Sequence, residues 1–452
     1  MTNKQIRDVI LDLLIRIEQQ KSYSHLLIDQ EIKAQSLSSK DERFLTEIVY
    51  GTMQRKITLD YYLEPFLNTR KKLAAWVRML LRMSVYQMVY LDKVPDHAVI
   101  HEAVEIAKKR GHKGIASLVN GVLRNVQRKG LRNPATEITH TSKRISVETS
   151  HPEWLVRRWL KMYGKDVTEE MCRANLQQKP MAVRIQPLRI TREAAKQELL
   201  KNGFEVKDSL FSDQGIVIQK GNILQSPLFS SGMVSIQDQS SMLATEMLAV
   251  QPGMRILDAC SAPGGKTTHI AEKMQNKGVI RAHDLHAKKV QLVDKKAAAL
   301  QLTIIHTSQA DARELKSMYH HESFDRILVD APCSGLGVIR GKPDIKYNKS
   351  AEDIRKLSHV QLDILESVAP LLKKGGYLLY CTCTVDKEEN EDVVGTFLQR
   401  QTNYKVDKRF FATLPKLLQT SPGMSEMGLQ LFPQSFQTDG FFLTRLIRTA
   451  SY

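Results

Sequence analysis

The chain has 452 residues, 42% of them hydrophobic, enough for two to four domains with ordinary buried cores. Its 66 Lys and Arg outnumber 49 Asp and Glu, giving a formal net charge of +17 that points to a polyanionic partner, nucleic acid first. No window of about 18 uncharged apolar residues occurs, so no membrane span is expected; five cysteines without a signal-peptide pattern exclude a disulfide-built secreted fold and imply reduced thiols in a cytoplasm.

Residues 1–135 read as helix throughout and as one domain. Ile6, Val9, Ile10, Leu13, Leu14 and Ile17 recur at helical spacing, and Ser38, Ser39 and Asp41 offer caps for a helix over 41–54. Further helices are predicted at 57–67, 73–91, 96–109 and 114–128; the most apolar of these, 73–91, is interrupted by Arg78 and Arg82. Residues 1–150 carry 25 Lys and Arg against 16 Asp and Glu, over half of the excess charge. The densest spots are AKKRGHKG (107–114) and Lys71–Lys72, which suit either a solvated helix face or a phosphate-contacting surface. The second reading is favoured, because the whole region is biased.

Over 145–235 the pattern changes. HPEWLVRRWLKMYG (151–164) reads as one helix, then AVRIQPLR as a strand, TREAAKQELLKNG as a helix, and FEVKDSL and GIVIQK as strands. This is a small α+β module, an RNA-binding element or a linker. From 236 to 452 short apolar strands alternate with helices, which predicts a parallel, doubly wound, Rossmann-like sheet with its ligands at the C-terminal strand ends.

The first strand of that sheet runs into LDACSAPGGKTTHI (257–270). Gly264 and Gly265 permit close backbone approach to a ligand, and the helix they open favours an anionic group. The spacing matches neither a dinucleotide fingerprint nor a Walker A loop. Asp258, Asp284, Asp311 and Asp330 end or follow four successive strands; an acid about 20 residues past the loop can accept both ribose hydroxyls. Each aspartate alone is a turn or cap residue. Together with the loop they fit a nucleoside with a carboxylate-bearing tail, S-adenosylmethionine.

Two cysteines follow strands of the same domain: Cys333 in VDAPCSG (329–335) and Cys383 in LLYCTCTV (378–385). Methylation of oxygen or nitrogen needs no thiol. Methylation of a pyrimidine ring carbon does, because cytosine C5 becomes nucleophilic only after a thiolate adds to C6. A second group then helps to release the product, and Asp330 can engage the cytosine N3/N4 edge. Cys260 reads as a buried loop thiol, Cys172 as helix packing, and Cys381 as core on the sheet face opposite Cys383. Cys381 and Cys383 are spaced C-x-C and no Cys/His cluster completes a zinc set, so no metal is expected.

DAPCSG (330–335) with TCT (382–384) behind the glycine loop resembles the Sun (Fmu) family of RNA cytosine-C5 methyltransferases. The likeness spans about 236 to the end, including TDGFFLTRL (438–446) as a substrate-facing closing strand. It implies that Cys383 is the nucleophile and Cys333 the release residue. It also implies cofactor contacts along Cys260, Ser261, Ala262, Pro263, Gly264, Gly265 and Lys266, with Asp284, Asp311 and Asp330. CTCT, where alanine often precedes the T-C pair, and QADAR, where glycine is usual before the aspartate, are local departures. PDHAVIHEAVEIAKKRGHKGIASLVNGVLRNV (95–126) resembles the NusB-type helical RNA-binding domain. Combined, these likenesses imply an enzyme methylating 16S rRNA, at cytosine 967; a monomer is the default expectation. The alternatives are the same chemistry on tRNA or another rRNA site, a DNA cytosine methyltransferase, in which the P-C cysteine attacks, and a non-catalytic RNA-binding assembly factor.

Overall fold

The protein is described from a computed structural model covering residues 3–20, 24–35, 37–67 and 73–449. Lys71 and Lys72 lie outside the described residues. The chain divides into two units, 1–177 with 339–348 and 178–338 with 349–452.

The first unit holds helices Asn3–Gln20, Ser24–Gln35, Ser39–Gln54, Lys56–Leu63, Ala75–Tyr90, Asp96–Arg110, Lys113–Lys129, Thr141–Thr149 and Glu153–Ala174. Of the expected apolar stripe, Ile6, Ile10, Leu13, Leu14 and Ile17 are fully buried, in one cluster with Leu45, Ile48, Leu80, Leu81, Val119 and Leu123, and Val9 is partly buried against it. Ser38 caps its helix by accepting from the Asp41 amide at 3.2 Å. Arg82 stays inside an apolar helix because Asp60 takes its guanidinium at 2.8 and 2.7 Å and Glu18 at 2.9 Å. The helix begun at 153 runs past Gly164, where sequence reading ends it; Gly164 breaks the helical backbone at φ 76° and the turns resume. In the basic run, Lys109 meets Asp8 at 2.6 Å, Arg110 meets Asp12 at 2.6 Å and Lys108 meets Glu105 at 2.8 Å. Part of that charge therefore ties helices of the unit to one another.

Residues 339–348 fold with this helical unit although their sequence neighbours do not. Lys346 donates to the Gln54 carbonyl at 2.9 Å, the Tyr347 hydroxyl bonds Ser150 Oγ at 2.9 Å, and Asp344 accepts from the Ser24 hydroxyl.

The second unit begins with an antiparallel sheet of β1 (Met181–Ile185), β2 (Glu205–Asp208), β3 (Gly215–Lys220) and β4 (Val234–Ile236), in the order β2-β3-β1-β4. One helix, Arg192–Lys201, covers it. The larger sheet contains β5 (Arg255–Asp258), β6 (Val279–Asp284), β7 (Ile305–Gln309), β8 (Phe324–Asp330), β9 (Leu372–Thr382), β10 (Tyr404–Val406), β11 (Met424–Ser425), β12 (Gly428–Leu431) and β13 (Phe441–Arg448). Its order is β11-β12-β13-β9-β8-β5-β6-β7, with β10 also on β13. The run β9-β8-β5-β6-β7 is parallel, as expected of strands joined through helices; β13 is antiparallel to β9, so the sheet is mixed. After β7 the chain crosses to β8 on the other side of β5. The ends of β5 and β8 therefore flank a topological switch point, the ordinary ligand site of such sheets.

Candidate active site

The glycine loop is fixed at that switch point by its own backbone. The Ser261 amide donates to the His283 carbonyl at 2.7 Å and the Gly264 amide to the Ser261 carbonyl at 2.7 Å. Gly264 sits at φ +91°, and a Cβ there would press on Val293 at 3.2 Å. The helix Gly265–Lys273 follows at once. Asp258, buried at the end of β5, accepts from Thr267 Oγ1 at 2.7 Å through one oxygen, while its other oxygen has no partner. Burial pushes its carboxyl up to about 7, and the charge of Asp330 adds to that.

Lys266, which sequence reading places with the cofactor loop, turns its amine to Asp330 at 2.7 Å and lies 5.1 Å above the Phe441 ring. Burial, the largest single influence, opposes its charge, but the Asp330 carboxylate together with the nearby Cys381 and Cys383 holds Lys266 more firmly protonated than a free lysine. The other Asp330 oxygen is 3.5 Å from Cys381 Sγ. Asp284 is nearly buried at the end of β6, bonded to the His286 amide at 3.1 Å. Asp311 caps the turn after β7, and its hydrogen bonds to Arg313, one at 2.6 Å, hold it below the usual carboxylate range.

β8 and β9 are parallel neighbours, so the loops leaving their ends lie together, and these loops carry Cys333 and Cys383. Their sulfurs are 3.3 Å apart, and both residues are partly exposed. Cys381 is buried in β9, one residue short of the strand end, and Cys172 is buried in the helical unit. Cys260 is partly exposed in the loop, its thiol pushed up by burial and by the aspartates around it. Glycines seal the thiol loops: the Gly337 amide donates to the Cys383 carbonyl and the Gly440 amide to the Gly337 carbonyl, both at 2.9 Å. A Cβ on Gly337 would collide with the Gly440 carbonyl, and one on Gly440 would lie 2.6 Å from Val385 Cγ1 and 2.9 Å from the Gly337 Cα, which accounts for the glycine of TDGFF.

Sequence reading missed Gln361, Glu389 and Asn390, which contact residues on either side of the two thiols. The available signal was the uninterrupted polar run DKEENED (386–392), two residues past the T-C pair. The helix starts only at Glu391, because 387–389 form a tight turn that carries Glu389 inward. Among the described residues no group of three or more His, Cys, Asp or Glu is placed to hold a metal ion.

Three family models match the chain: 16S rRNA methyltransferase RsmB/F over residues 245–447, the NusB family over 4–128, and the ferredoxin-like domain of RsmF/B-like methyltransferases over 151–224. The chain is 47% identical to a probable ribosomal RNA small subunit methyltransferase B of Bacillus subtilis, covering 98% of each. It is 35% identical to the protein of the same description from Synechocystis, covering 97% of this chain and 98% of that one. Among solved structures, that of PH0851 superposes with a TM-score of 0.82 at 27% identity, over 99% of both chains. With such likeness over its full length and in each of its parts, the chain belongs to the family of ribosomal RNA small subunit methyltransferase B, whose methyl donor is S-adenosylmethionine.

Proposed function

We propose that this chain transfers a methyl group to C5 of a cytosine in 16S rRNA, cytosine 967, through a covalent adduct between Cys383 and cytosine C6. The observation that carries the reading is the pair of thiols 3.3 Å apart at the ends of neighbouring parallel strands, beside the Lys266–Asp330 ion pair. One thiol would suffice for attack; two in contact suit attack followed by release.

The loop residues fit the donor. Cys260 to Lys266 form a backbone cradle, and the unpartnered Asp258 oxygen and the nearly buried Asp284 supply acceptors along it. Asp311 suits an adenine edge. When bound, S-adenosylmethionine supplies an electrophilic methyl on a sulfonium and departs as the neutral thioether.

The protein's residues act around that exchange. The Cys383 thiolate bonds to C6, and the C5=C6 electron pair moves to C5, which takes the methyl. Asp330 accepts from the cytosine N4 amine, and the Lys266 ammonium offsets the electron density pushed toward N3 and O2. Cys333, as thiolate, then takes the C5 proton. The C5–H pair re-forms C5=C6, the C6–S bond breaks, and sulfur leaves on Cys383 as thiolate. The hydrogen bond to Cys383, then burial, raise the Cys333 thiol. Adduct formation turns Cys383 into a neutral thioether, so Cys333 ionises more readily at the step that needs its base.

The NusB-like helices and the ferredoxin-like module are the parts proposed to hold the rRNA, in a monomer in the cytoplasm, and the domain limits 1–135, 145–235 and 236–452 stand as part of this reading. Bisulfite sequencing of 16S rRNA from a strain lacking the protein tests substrate and position together: one protected cytosine, at 967, is lost. Unchanged 16S rRNA would overturn the assignment and direct the search to tRNA and 23S rRNA. Cys383→Ala abolishes methylation, whereas Cys333→Ala accumulates an RNA–protein adduct on a denaturing gel; the opposite pattern would exchange the two roles.

A further inference from the structure

Two consecutive buried residues grip both thiol loops. Glu389 Oε1 accepts from the Ser334 amide at 2.8 Å and from Gln361 Nε2 at 3.1 Å, and its Oε2 accepts from the Ser334 hydroxyl. The same Gln361 side-chain amide donates to the Pro332 carbonyl at 2.9 Å. Cys333 is thereby held from the residue before it and the residue after it. Asn390 does the same for Cys383: its Oδ1 accepts from the Thr382 hydroxyl at 2.6 Å and its Nδ2 donates to the Thr384 carbonyl at 3.3 Å. The two grips meet where Ser334 Oγ and Thr384 Oγ1 lie 2.9 Å apart. Since the Ser334 proton goes to Glu389, Thr384 is the donor in that contact.

Glu389 and Asn390 have no solvent exposure. The Glu389 donors are two amides and a hydroxyl, all neutral, so its carboxylate is desolvated without a cation in the hydrogen-bonded set. A loop that needed only filling would be served more cheaply by an amide or an apolar residue. A fixed acceptor on one side of a reacting thiol and a fixed donor on the other instead hold it in one position.

We propose that Glu389 and Asn390 are positioning residues that divide the two thiols between them, Glu389 setting Cys333 for release and Asn390 setting Cys383 for attack. The inference rests on the thiol roles proposed above. Neither residue touches the base. Each acts through the main chain and hydroxyls flanking its cysteine.

The division predicts opposite fates for the covalent adduct. Full-length variants are incubated with 30S particles or 16S rRNA from the deletion strain and labelled S-adenosylmethionine; turnover, donor affinity and adduct are measured, with Cys333→Ala as the control. Glu389→Ala lowers turnover by roughly 100-fold and accumulates adduct as the control does, with donor affinity within about threefold of the parent. Asn390→Ala lowers turnover similarly but accumulates none; added to Cys333→Ala, it slows adduct formation by about tenfold or more. Glu389→Gln keeps an acceptor for the Ser334 amide and accumulates less adduct than Glu389→Ala. If Glu389→Ala fails to bind the donor, Ser334→Ala decides, because it cuts the hydroxyl's links to Glu389 and Thr384, keeps the amide's link to Glu389, and should still accumulate adduct. Adduct from Cys333→Ala but none from Glu389→Ala, Glu389→Gln or Ser334→Ala overturns the positioning inference. No adduct from Cys333→Ala itself overturns the thiol roles.

Discussion

Lys266 in the catalytic unit and Lys346 in the helical unit are both withdrawn from water, and their ionisation shifts in opposite directions. Lys266 faces Asp330 at 2.7 Å and is held charged. Burial brings Lys346 down to about 7; its amine meets a carbonyl, lies 5.2 Å over the Tyr347 ring and is near Cys172, with Arg55 as a repelling neighbour. Desolvation is the largest influence on both; Asp330, with Cys381 and Cys383 beside it, reverses the sign for Lys266 alone. The first lysine can therefore act electrostatically at neutral pH, while the second acts mainly as a packed hydrogen-bond donor.

Removing the deciding carboxylate gives the largest effect. Asp330→Asn takes away the acceptor for the cytosine amine and leaves Lys266 in a setting like that of Lys346. Turnover is expected to fall by about 10³-fold in a methyl-transfer assay, with donor affinity nearly kept. A fall below about tenfold would mean that the ion pair is only structural.

Lys266→Met tests the same pair from the other side. The sequence places Lys266 in the cofactor loop, whereas its amine is directed to Asp330. Single-turnover rates should therefore drop by about 10²-fold while calorimetric donor affinity changes by less than about threefold. Equal losses in rate and affinity would return Lys266 to the cofactor cradle.

The two lysines also mark what a sequence discloses. The fold was legible because it rests on local patterns: the stripe Ile6 to Ile17 for helices, and short apolar runs broken by helices for the large sheet. The glycine loop and the two thiols were legible because each is a contiguous motif on a strand end. The antiparallel addition of β13 was not, since strand direction depends on where the chain returns rather than on its alternation. Nor was the Lys266–Asp330 pair, which joins positions 64 apart, or the Glu389 grip, which depends on a tight turn displacing the start of a helix. Lys346 was invisible for a further reason: its segment, 339–348, folds with residues far from it in sequence.

Lys346→Met gives the smallest effect and the sharpest sign. Between the folded value of about 7 and the ordinary 10.5, the unfolded chain carries a proton at this position that the folded unit does not. Stability of the helical unit must then rise with pH across that window, by up to roughly 5 kcal/mol from this group, and be flat below it. His151, which burial and then Lys346 push well below 6.5, titrates under the window; Cys172, which burial pushes up to about 12, opposes the rise above about pH 9 in both proteins, so the difference between them is what reports on Lys346. Methionine removes the titration and loses one hydrogen bond, to a Gln54 carbonyl that Tyr347 still reaches at 3.3 Å. All three tryptophans, Trp76, Trp154 and Trp159, belong to this unit, so tryptophan fluorescence in a urea titration follows its unfolding. At pH 7 the variant should match or exceed the parent, and by pH 9.5 the parent should gain on it. Parallel pH curves for the two proteins would show that Lys346 keeps its charge when buried, and that a nearby carboxylate is not what separates it from Lys266.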